Sequence, residues 1–199
     1  KKFIIIGNMN AITYKEVFPL IKANKMWLGY SIHSGDREFE VPNDYPLAAA
    51  GWRIDENGRK FIRVKGVRWF TNIDHGRRHE PLPLMTMADN LRFSKHKELK
   101  GKTAYDRYDN YDAIEVPFTD AIPSDYDGVM GVPISFLDKY CPEQFEILGI
   151  TDRQNTSGVR TKKYTATDSP KYNDLNARSV IKIGERYIPM YARLLIRRL

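Results

Sequence analysis

The first residues of the chain alternate between apolar runs and turn residues in a pattern that predicts a strand followed by a helix. Residues 3–6 (FIII) form a continuous apolar run, which is typical of a buried strand, and Gly7 ends it. Thr13 and Glu16 have the spacing of a capping box, which predicts a helix directly after them. Pro19 falls inside that helix, so we expect a kink there.

From residue 26 onward, short aromatic and β-branched runs separated by turn residues predict antiparallel strands. Residues 26–32 and 37–41 are expected to pair as a hairpin around Ser34, Gly35 and Asp36. A second pair is expected between residues 51–54 and 60–73. The connecting Asp-Glu-Asn-Gly ends in an Asn-Gly pair, a strong signal for a hairpin turn.

The rest of the chain mixes long polar connections with short apolar runs. Residues 75–102 are polar and basic and read as a long connection or lid, with a short helix over residues 87–93. Residues 151–176 have few apolar positions and are predicted to be a mobile loop. The remaining expectations are strands at 112–117 and 145–150, a turn region at 125–131, helical turns at 133–140, and a terminal hairpin of 179–183 with 186–198.

Composition and charge narrow the class of protein. The 199 residues are 42% hydrophobic and 12% aromatic, enough to form one sizeable core or two small ones. The net charge of +7 favours an anionic partner such as nucleic acid or an acidic membrane surface. Cys141 is the single cysteine, which excludes an intramolecular disulfide and a cysteine-rich zinc site. With no apolar run long enough to span a membrane and no signal-peptide pattern, we expect a soluble, cytoplasmic protein.

The densest mixture of basic and aromatic side chains lies in residues 59–79. Basic side chains neutralise phosphates, Arg and Asn hydrogen-bond to base edges, and aromatic rings stack on unpaired bases. A hairpin with one solvated charged face and one buried aromatic face produces the same alternation. Both interpretations stay open for the segment, whereas Trp69 or Phe70 taken singly is expected in the core.

Two patterns resemble metal sites but lack the rest of one. His75 and His79 have the spacing of two ligands on a helical face, but the intervening Gly-Arg-Arg argues against a divalent ion and favours a phosphate-contacting loop. Asp106, Asp109, Asp112 and Glu115 would have to converge on one ion, and a tyrosine-rich turn with solvated carboxylates is the simpler expectation. No metal is therefore predicted. No Gly-rich phosphate or dinucleotide motif and no Pro-Pro dipeptide occurs in the sequence.

Several long stretches, occurring in one order, resemble a known family. They are residues 3–13 (FIIIGNMNAIT), 67–73 (VRWFTNI), 131–140 (GVPISFLDKY), 144–149 (QFEILG) and 191–198 (YARLLIRR). Together they are similar to the EcoRI-type family of adenine-specific DNA methyltransferases of bacteria and phages. The resemblance extends from the first residues to the end of the chain.

The resemblance implies methyl transfer from S-adenosylmethionine to the exocyclic amine of adenine in double-stranded DNA, with the target base flipped out of the helix. In the family, a cofactor-binding segment and an Asn-Pro-Pro-Phe-type motif precede the strand that begins this chain. Neither occurs here, and the first residue is not Met. We therefore expect a C-terminal portion whose partners are DNA and a missing N-terminal catalytic half. No catalytic or cofactor-binding residue is assigned, and the cofactor is expected only in the full-length protein.

The expected fold class is α/β, in the α+β sense. Residues 1–25 would be the final strand and helix of a Rossmann-like methyltransferase sheet. Residues 26–199 would be a β-rich, mostly antiparallel target-recognition region that includes the loops 75–102 and 151–176.

The predicted role of this region is to hold and read DNA. From charge and loop placement, the predicted DNA-binding residues are Arg68, Asn72, Arg77, Arg78 and His79, with Arg92 and Lys95 as phosphate contacts. The alternative is a stand-alone basic β-rich module that binds nucleic acid or a phage protein without catalysis.

Overall fold

The computed structural model describes residues 1–33, 35–48, 51–152 and 159–199. The strands are β1 (Ile4–Asn8), β2 (Trp27–Leu28), β3 (Arg37–Val41), β4 (Trp52–Ile54), β5 (Lys60–Val64), β6 (Val67–Thr71), β7 (Ile114–Glu115), β8 (Met130–Pro133), β9 (Phe145–Ile150), β10 (Val180–Ile183), β11 (Arg186–Pro189) and β12 (Arg193–Arg198). The α-helices are α1 (Phe18–Lys22), α2 (Met87–Phe93) and α3 (Tyr172–Asn176). Short 3-10 helices lie at Met9–Thr13, Gly76–His79, Thr119–Ala121 and Ile134–Lys139.

The first sheet has the order β1-β6-β2, and both of its pairings are antiparallel. Ile5 and Leu28 both lie opposite Phe70, and Leu28 and Phe70 are buried in the main core. The expected strand at residues 3–6 is therefore confirmed as β1, but the expected burial is wrong, because Ile4, Ile5 and Ile6 are exposed. The predicted hairpin of residues 26–32 with 37–41 is wrong, because β2 pairs with β6 and β3 pairs with β5. Its expected turn includes residue 34, which lies outside the described residues.

The helix after β1 begins later than the capping-box pattern predicts. Thr13 ends a 3-10 helix, and its hydroxyl donates to the Asn10 carbonyl. α1 starts after Val17, which makes no side-chain cap. Pro19 therefore sits in the first turn of α1, where a missing backbone N–H costs nothing. The expected kink at Pro19 is wrong for this reason.

A second sheet, with the order β3-β5-β4, forms what we call the β arm, residues 37–64. The hairpin of β4 and β5 is confirmed, and its turn places Gly58 at a φ of +78°. Every residue of the three strands is half-buried or exposed. The predicted strand 60–73 is divided at Gly66, whose φ of +66° lies in the left-handed region that glycine favours. The chain therefore leaves the β arm at this point and enters the first sheet as β6.

The main sheet has the order β7-β8-β12-β9, and all four of its strands contribute side chains to the main core. Leu194, Leu195 and Ile196 on the central strand β12 are fully buried. Of the predicted terminal hairpin, only β10 with β11 forms. β12 instead pairs with β8 and β9, because its three consecutive apolar residues fill the interior on both faces of this sheet.

The elements of the main sheet agree in part with expectation. The predicted strands at 112–117 and 145–150 appear as β7 and β9, and the helical turns at 133–140 appear as the 3-10 helix Ile134–Lys139. The short helix over residues 87–93 is α2. The turn predicted at 125–131 is only partly correct, because β8 begins at Met130 and is buried between β7 and β12.

The predicted loop 151–176 lies partly outside the described residues, which omit 153–158. In the remainder, Tyr164 and Leu175 are buried against Val180, and α3 forms. The predicted loop is therefore wrong at Tyr172–Asn176, which form α3, because two widely spaced apolar side chains pack this part against the protein.

The described residues form a mixed α/β structure with mostly antiparallel sheets, as the coarse fold class predicted. The pairing of β7 with β8 is parallel, and the other strand pairs are antiparallel. In these ranges, no helix combines the length and the apolar character needed to cross a bilayer.

Candidate nucleic-acid interface

Arg68 on β6 is a buried residue whose guanidinium is used inside the chain. Its Nε and Nη2 donate to the two carboxylate oxygens of Asp138 at 2.8 and 2.9 Å. Nη1 donates to the Val67 carbonyl at 2.8 Å, and Nη2 also donates to the His33 carbonyl at 2.7 Å. The side chain predicted to contact DNA is thus engaged by protein acceptors in this structure.

Asn72, just after β6, holds the start of the chain. Its Oδ1 accepts a hydrogen bond from the Phe3 backbone N–H, and its Nδ2 donates to the Lys1 carbonyl, both at 2.9 Å. These two bonds extend the contact between β1 and β6 beyond the strand pairing. The amide that base readout would require is therefore occupied by backbone groups.

Arg78 lies in the 3-10 helix Gly76–His79 and is buried. Its Nη1 donates to Asp74 Oδ1 and its Nη2 to Asn24 Oδ1, both at 2.6 Å. The guanidinium carbon lies 3.7 Å from the ring centroid of Trp27, a cation–π contact. Arg78 therefore joins this loop to α1 and β2.

His79, the next residue, stands between two carboxylates. Its Nε2 lies 3.0 Å from Asp74 Oδ2, and its Nδ1 lies 2.7 Å from Glu143 Oε1. Hydrogen bonds to Asp74 first, and then to Glu143, raise the pKa of the imidazole above its ordinary value. The two negative charges beside it oppose the approach of a phosphate.

Arg77 also lies in this loop, within the 3-10 helix Gly76–His79. The side chain is half-buried and lines a small cavity with Trp27 and Tyr140. Within the described ranges, no carboxylate forms an ion pair with its guanidinium.

A second group of predicted cations lies on residues 92–100, which we call the basic segment. Arg92 and Lys95 are exposed. Lys97 and Lys100 are exposed too, although they were not among the predicted DNA-binding residues. None of the four forms an ion pair in the part of the chain that the structure describes. The segment contains one carboxylate, Glu98. The closely spaced lysines of residues 94–100 (SKHKELK) are the sequence signal from which Lys97 and Lys100 could have been predicted.

The backbone of the basic segment is held by buried contacts at both ends. Asn90 on α2 is 1% exposed and donates to the Ala121 carbonyl at 3.3 Å. The His96 ring stacks on Phe118 with a centroid distance of 3.6 Å. Leu99 is buried in the main core. The cations are therefore displayed from an ordered framework.

The carboxylates that could have suggested a metal site each have a cationic partner. The pairs are Asp106–Lys102, Asp109–Lys162, Asp112–Arg107 and Glu115–Arg193. Glu115 also accepts a hydrogen bond from the buried Tyr108 hydroxyl, and burial raises the pKa of this tyrosine well above its ordinary value. Over the described residues, no group of three or more His, Cys, Asp or Glu side chains is arranged to hold a metal ion.

The seven predicted residues thus fall into two classes. Four have their polar groups engaged within the chain: Arg68, Asn72, Arg78 and His79. The other three present charges without a carboxylate partner among the described residues: Arg77, Arg92 and Lys95.

Comparisons with known proteins place the chain in a family. A family model described as the adenine-specific methyltransferase EcoRI matches residues 1–199. The type II methyltransferase M.EcoRI of Escherichia coli is 49% identical over 148 residues, which are 74% of this chain and 42% of that protein. M.MgeORF184P of Mycoplasma genitalium and M.MpnI of Mycoplasma pneumoniae are 36% and 32% identical over 150 residues, which are 74% of this chain and 44% of each protein.

The matched region spans less than half the length of each of these relatives. No solved structure matches the chain. The family match covers every residue of the sequence, and the E. coli relative is close to half identical over the aligned part. The chain therefore belongs to the EcoRI family of adenine-specific methyltransferases.

Proposed function

We propose that this chain is the DNA-holding portion of an adenine-specific DNA methyltransferase. The full-length protein would transfer a methyl group from S-adenosylmethionine to the exocyclic amine of adenine in duplex DNA. Family membership and the names of the type II methyltransferase relatives support this activity. In this proposal the chain contributes binding and positioning of DNA, and the remaining part of the protein contributes the chemistry.

The observation that carries the proposal is the basic segment. Its four exposed cations have no carboxylate partner in the described ranges, and its backbone is anchored by buried residues on both sides. Unpaired Lys and Arg on a rigid framework neutralise phosphates without first breaking an ion pair. Arg92 and Lys95 are therefore the strongest of the predicted phosphate contacts, and Arg77 is a third candidate.

The other four predicted residues are assigned a structural role in this proposal, not a contact with DNA. Arg68, Asn72 and Arg78 position the strands and loop of the first sheet, through Asp138, the start of β1 and Asp74 respectively. A DNA contact from any of them would require these internal bonds to break. His79 would first have to leave two carboxylates.

The cofactor belongs, in this proposal, to the rest of the full-length protein. A glycine that opens space for a nucleotide should have no neighbour where its side chain would be, but a Cβ on Gly7 would lie 3.1 Å from the Phe70 ring. Gly7 thus serves close packing of β1 on the core. In this proposal no cofactor contact and no catalytic step is assigned to the residues after β1.

The free edge of β1 supports a contact with that other part. Within the described residues β1 pairs on one side only, with β6. Ile4, Ile5 and Ile6 are 59%, 53% and 45% exposed, although successive side chains point to opposite faces of the strand. A strand that is apolar on both faces is typical of the interior of a sheet covered on both sides. We propose that residues 1–25 complete the Rossmann-like sheet of the full-length enzyme.

The test is a fluorescence-anisotropy titration of the chain with a short labelled DNA duplex at several salt concentrations. A variant with Arg92, Lys95, Lys97 and Lys100 changed to Ala should bind much more weakly and with a shallower salt dependence, since each lost phosphate contact removes about 0.9 from the slope of log K against log salt. The charge-matched control changes four other exposed lysines to Ala: Lys22, Lys25, Lys163 and Lys171.

The control should keep most of the affinity of the parent chain. Equal losses in the two variants would mean that binding follows net charge alone, and the basic segment would then have no special role. Absence of duplex binding by the parent chain at low salt would overturn the proposed function. Addition of S-adenosylmethionine should leave the affinity of this chain unchanged.

A further inference from the structure

Phe93, the last residue of α2, is 60% exposed and belongs to the basic segment described above. A single exposed apolar side chain on a protein surface needs no explanation. The position of Phe93 is different, because Arg92 directly precedes it and Lys95, Lys97 and Lys100 follow within seven positions. The Arg92 guanidinium carbon lies 5.0 Å from the centroid of the Phe93 ring.

The helix that carries Phe93 is fixed to the protein. Thr86 caps its first turn by accepting from the Asp89 backbone N–H at 3.1 Å, and buried Asn90 donates to Ala121. Met87 and Leu91 pack against the main core. The ring is thus presented at the end of an anchored helix, and binding would not have to order a loose loop around it.

We propose that Phe93 contacts DNA bases directly, resting on the proposed function of the basic segment. In the complex, the four cations lie along the phosphates and the aromatic ring stacks on the face of a base. An aromatic side chain within a basic surface is the arrangement by which proteins stack on bases. Arg92 sits over the ring in the free protein and would pass to a phosphate, exposing the face that stacks.

The chemistry of the surroundings favours nucleic acid over an apolar protein partner. Burial of four unpaired cations against a protein would require an acidic partner surface around a hydrophobic pocket. A DNA duplex provides both the negative charge and the apolar surface, because phosphates flank the stacked bases along its whole length.

The experiment compares duplex binding by the parent chain and by Phe93→Ala, Phe93→Leu and Phe93→Trp. Phe93→Ala should weaken binding about 5- to 150-fold, the range expected for loss of one base–aromatic stack. Its salt dependence should match that of the parent chain, since no phosphate contact is lost. Phe93→Trp should keep the affinity of the parent chain, whereas Phe93→Leu should bind as weakly as Phe93→Ala, because stacking needs an aromatic ring.

The matched control is Tyr191→Ala, which removes an 82% exposed aromatic residue outside the basic segment and should leave affinity unchanged. The inference is overturned if Phe93→Ala binds like the parent chain, or if Phe93→Leu keeps affinity as well as Phe93→Trp does. In either case, weak binding by the four-cation variant would leave the proposed function standing. A parent chain that does not bind a duplex would overturn both.

Discussion

Arg68 and Asp138 form a buried two-point ion pair between residues that are 70 positions apart in the chain. The side chains of Arg68 and Asp138 are only 6% and 8% exposed. The pair joins β6 to the 3-10 helix Ile134–Lys139, and the bond from Arg68 to the His33 carbonyl adds the loop after β2. It thereby fixes the base from which the β arm departs.

Removal of one member of this pair should destabilise the protein strongly. Arg68→Ala or Asp138→Ala should lower the free energy of unfolding by about 3–5 kcal/mol, because each leaves a buried charge without its partner. The double variant Arg68→Met with Asp138→Leu should lose less than the sum of the two single variants. Urea denaturation followed by circular dichroism measures these values.

The matched control for this prediction is an exposed pair. Arg197 and Glu146 form an ion pair in which both side chains are nearly half exposed. Arg197→Ala should change the free energy of unfolding by no more than about 1 kcal/mol. Similar losses at Arg68 and Arg197 would contradict a special role for burial.

The bridge from His79 to Asp74 and Glu143 predicts a specific pH dependence. The pKa of His79 is raised from 6.5, so its contribution to stability is complete below pH 6.5 and is lost as the pH rises through the raised value. Asp74 and Glu143 have pKa values lowered from 3.8 and 4.5 and stay ionised over this interval. The melting temperature should therefore fall on going from mildly acidic to mildly alkaline buffer.

His79→Gln should remove most of that fall. The control is His96→Gln, which removes a half-buried histidine that pairs with one aspartate, Asp120. A direct NMR titration of the His79 ring should give a pKa above the ordinary value. An unchanged pH profile in His79→Gln would show that the bridge does not contribute.

Deletion of the β arm should leave the rest of the protein folded. Replacing residues 37–64 with an Asn-Gly turn removes strands in which every residue is half-buried or exposed. We expect the shortened protein to keep a cooperative unfolding transition with a melting temperature close to that of the parent chain. The equivalent replacement of the β10–β11 hairpin removes the buried Val180 and Ile181 and should unfold the protein. Thermal denaturation of the two deletion variants is the measurement. A folded protein without the β arm and an unfolded one without the β10–β11 hairpin would show that only the hairpin is needed for the fold.

Gly131 on β8 should not tolerate a side chain. A Cβ there would meet the Tyr108 hydroxyl and lie 2.7 Å from its Cε2, inside a buried network that includes Glu115. Gly131→Ala should lower the free energy of unfolding by about 2 kcal/mol or more, since a packed interior cannot move the ring away freely. Gly76→Ala is the control, because nothing lies within 4 Å of the added methyl group. Equal melting temperatures for the two variants would contradict this prediction.

Local patterns in the sequence located many elements, and pairing partners were the main source of error. α2 and β9 were predicted at the residues where they lie, since their periodicity and turn signals are short-range. β2 was assigned to the wrong partner because the β arm is inserted between it and β6. β12 left its expected hairpin because both of its faces are apolar and are buried between β8 and β9.

The sequence by itself determined the family, the basic charge and the cations of the basic segment, because motif order and residue type are properties of the chain alone. Tertiary structure alone decided which cations remain available. Arg68 and Arg92 are the same type of residue. Arg68 is neutralised by Asp138 from a distant element, whereas Arg92 faces solvent. The reason is that burial and ion pairing depend on contacts between residues far apart in sequence, and these arise only when the sheets assemble.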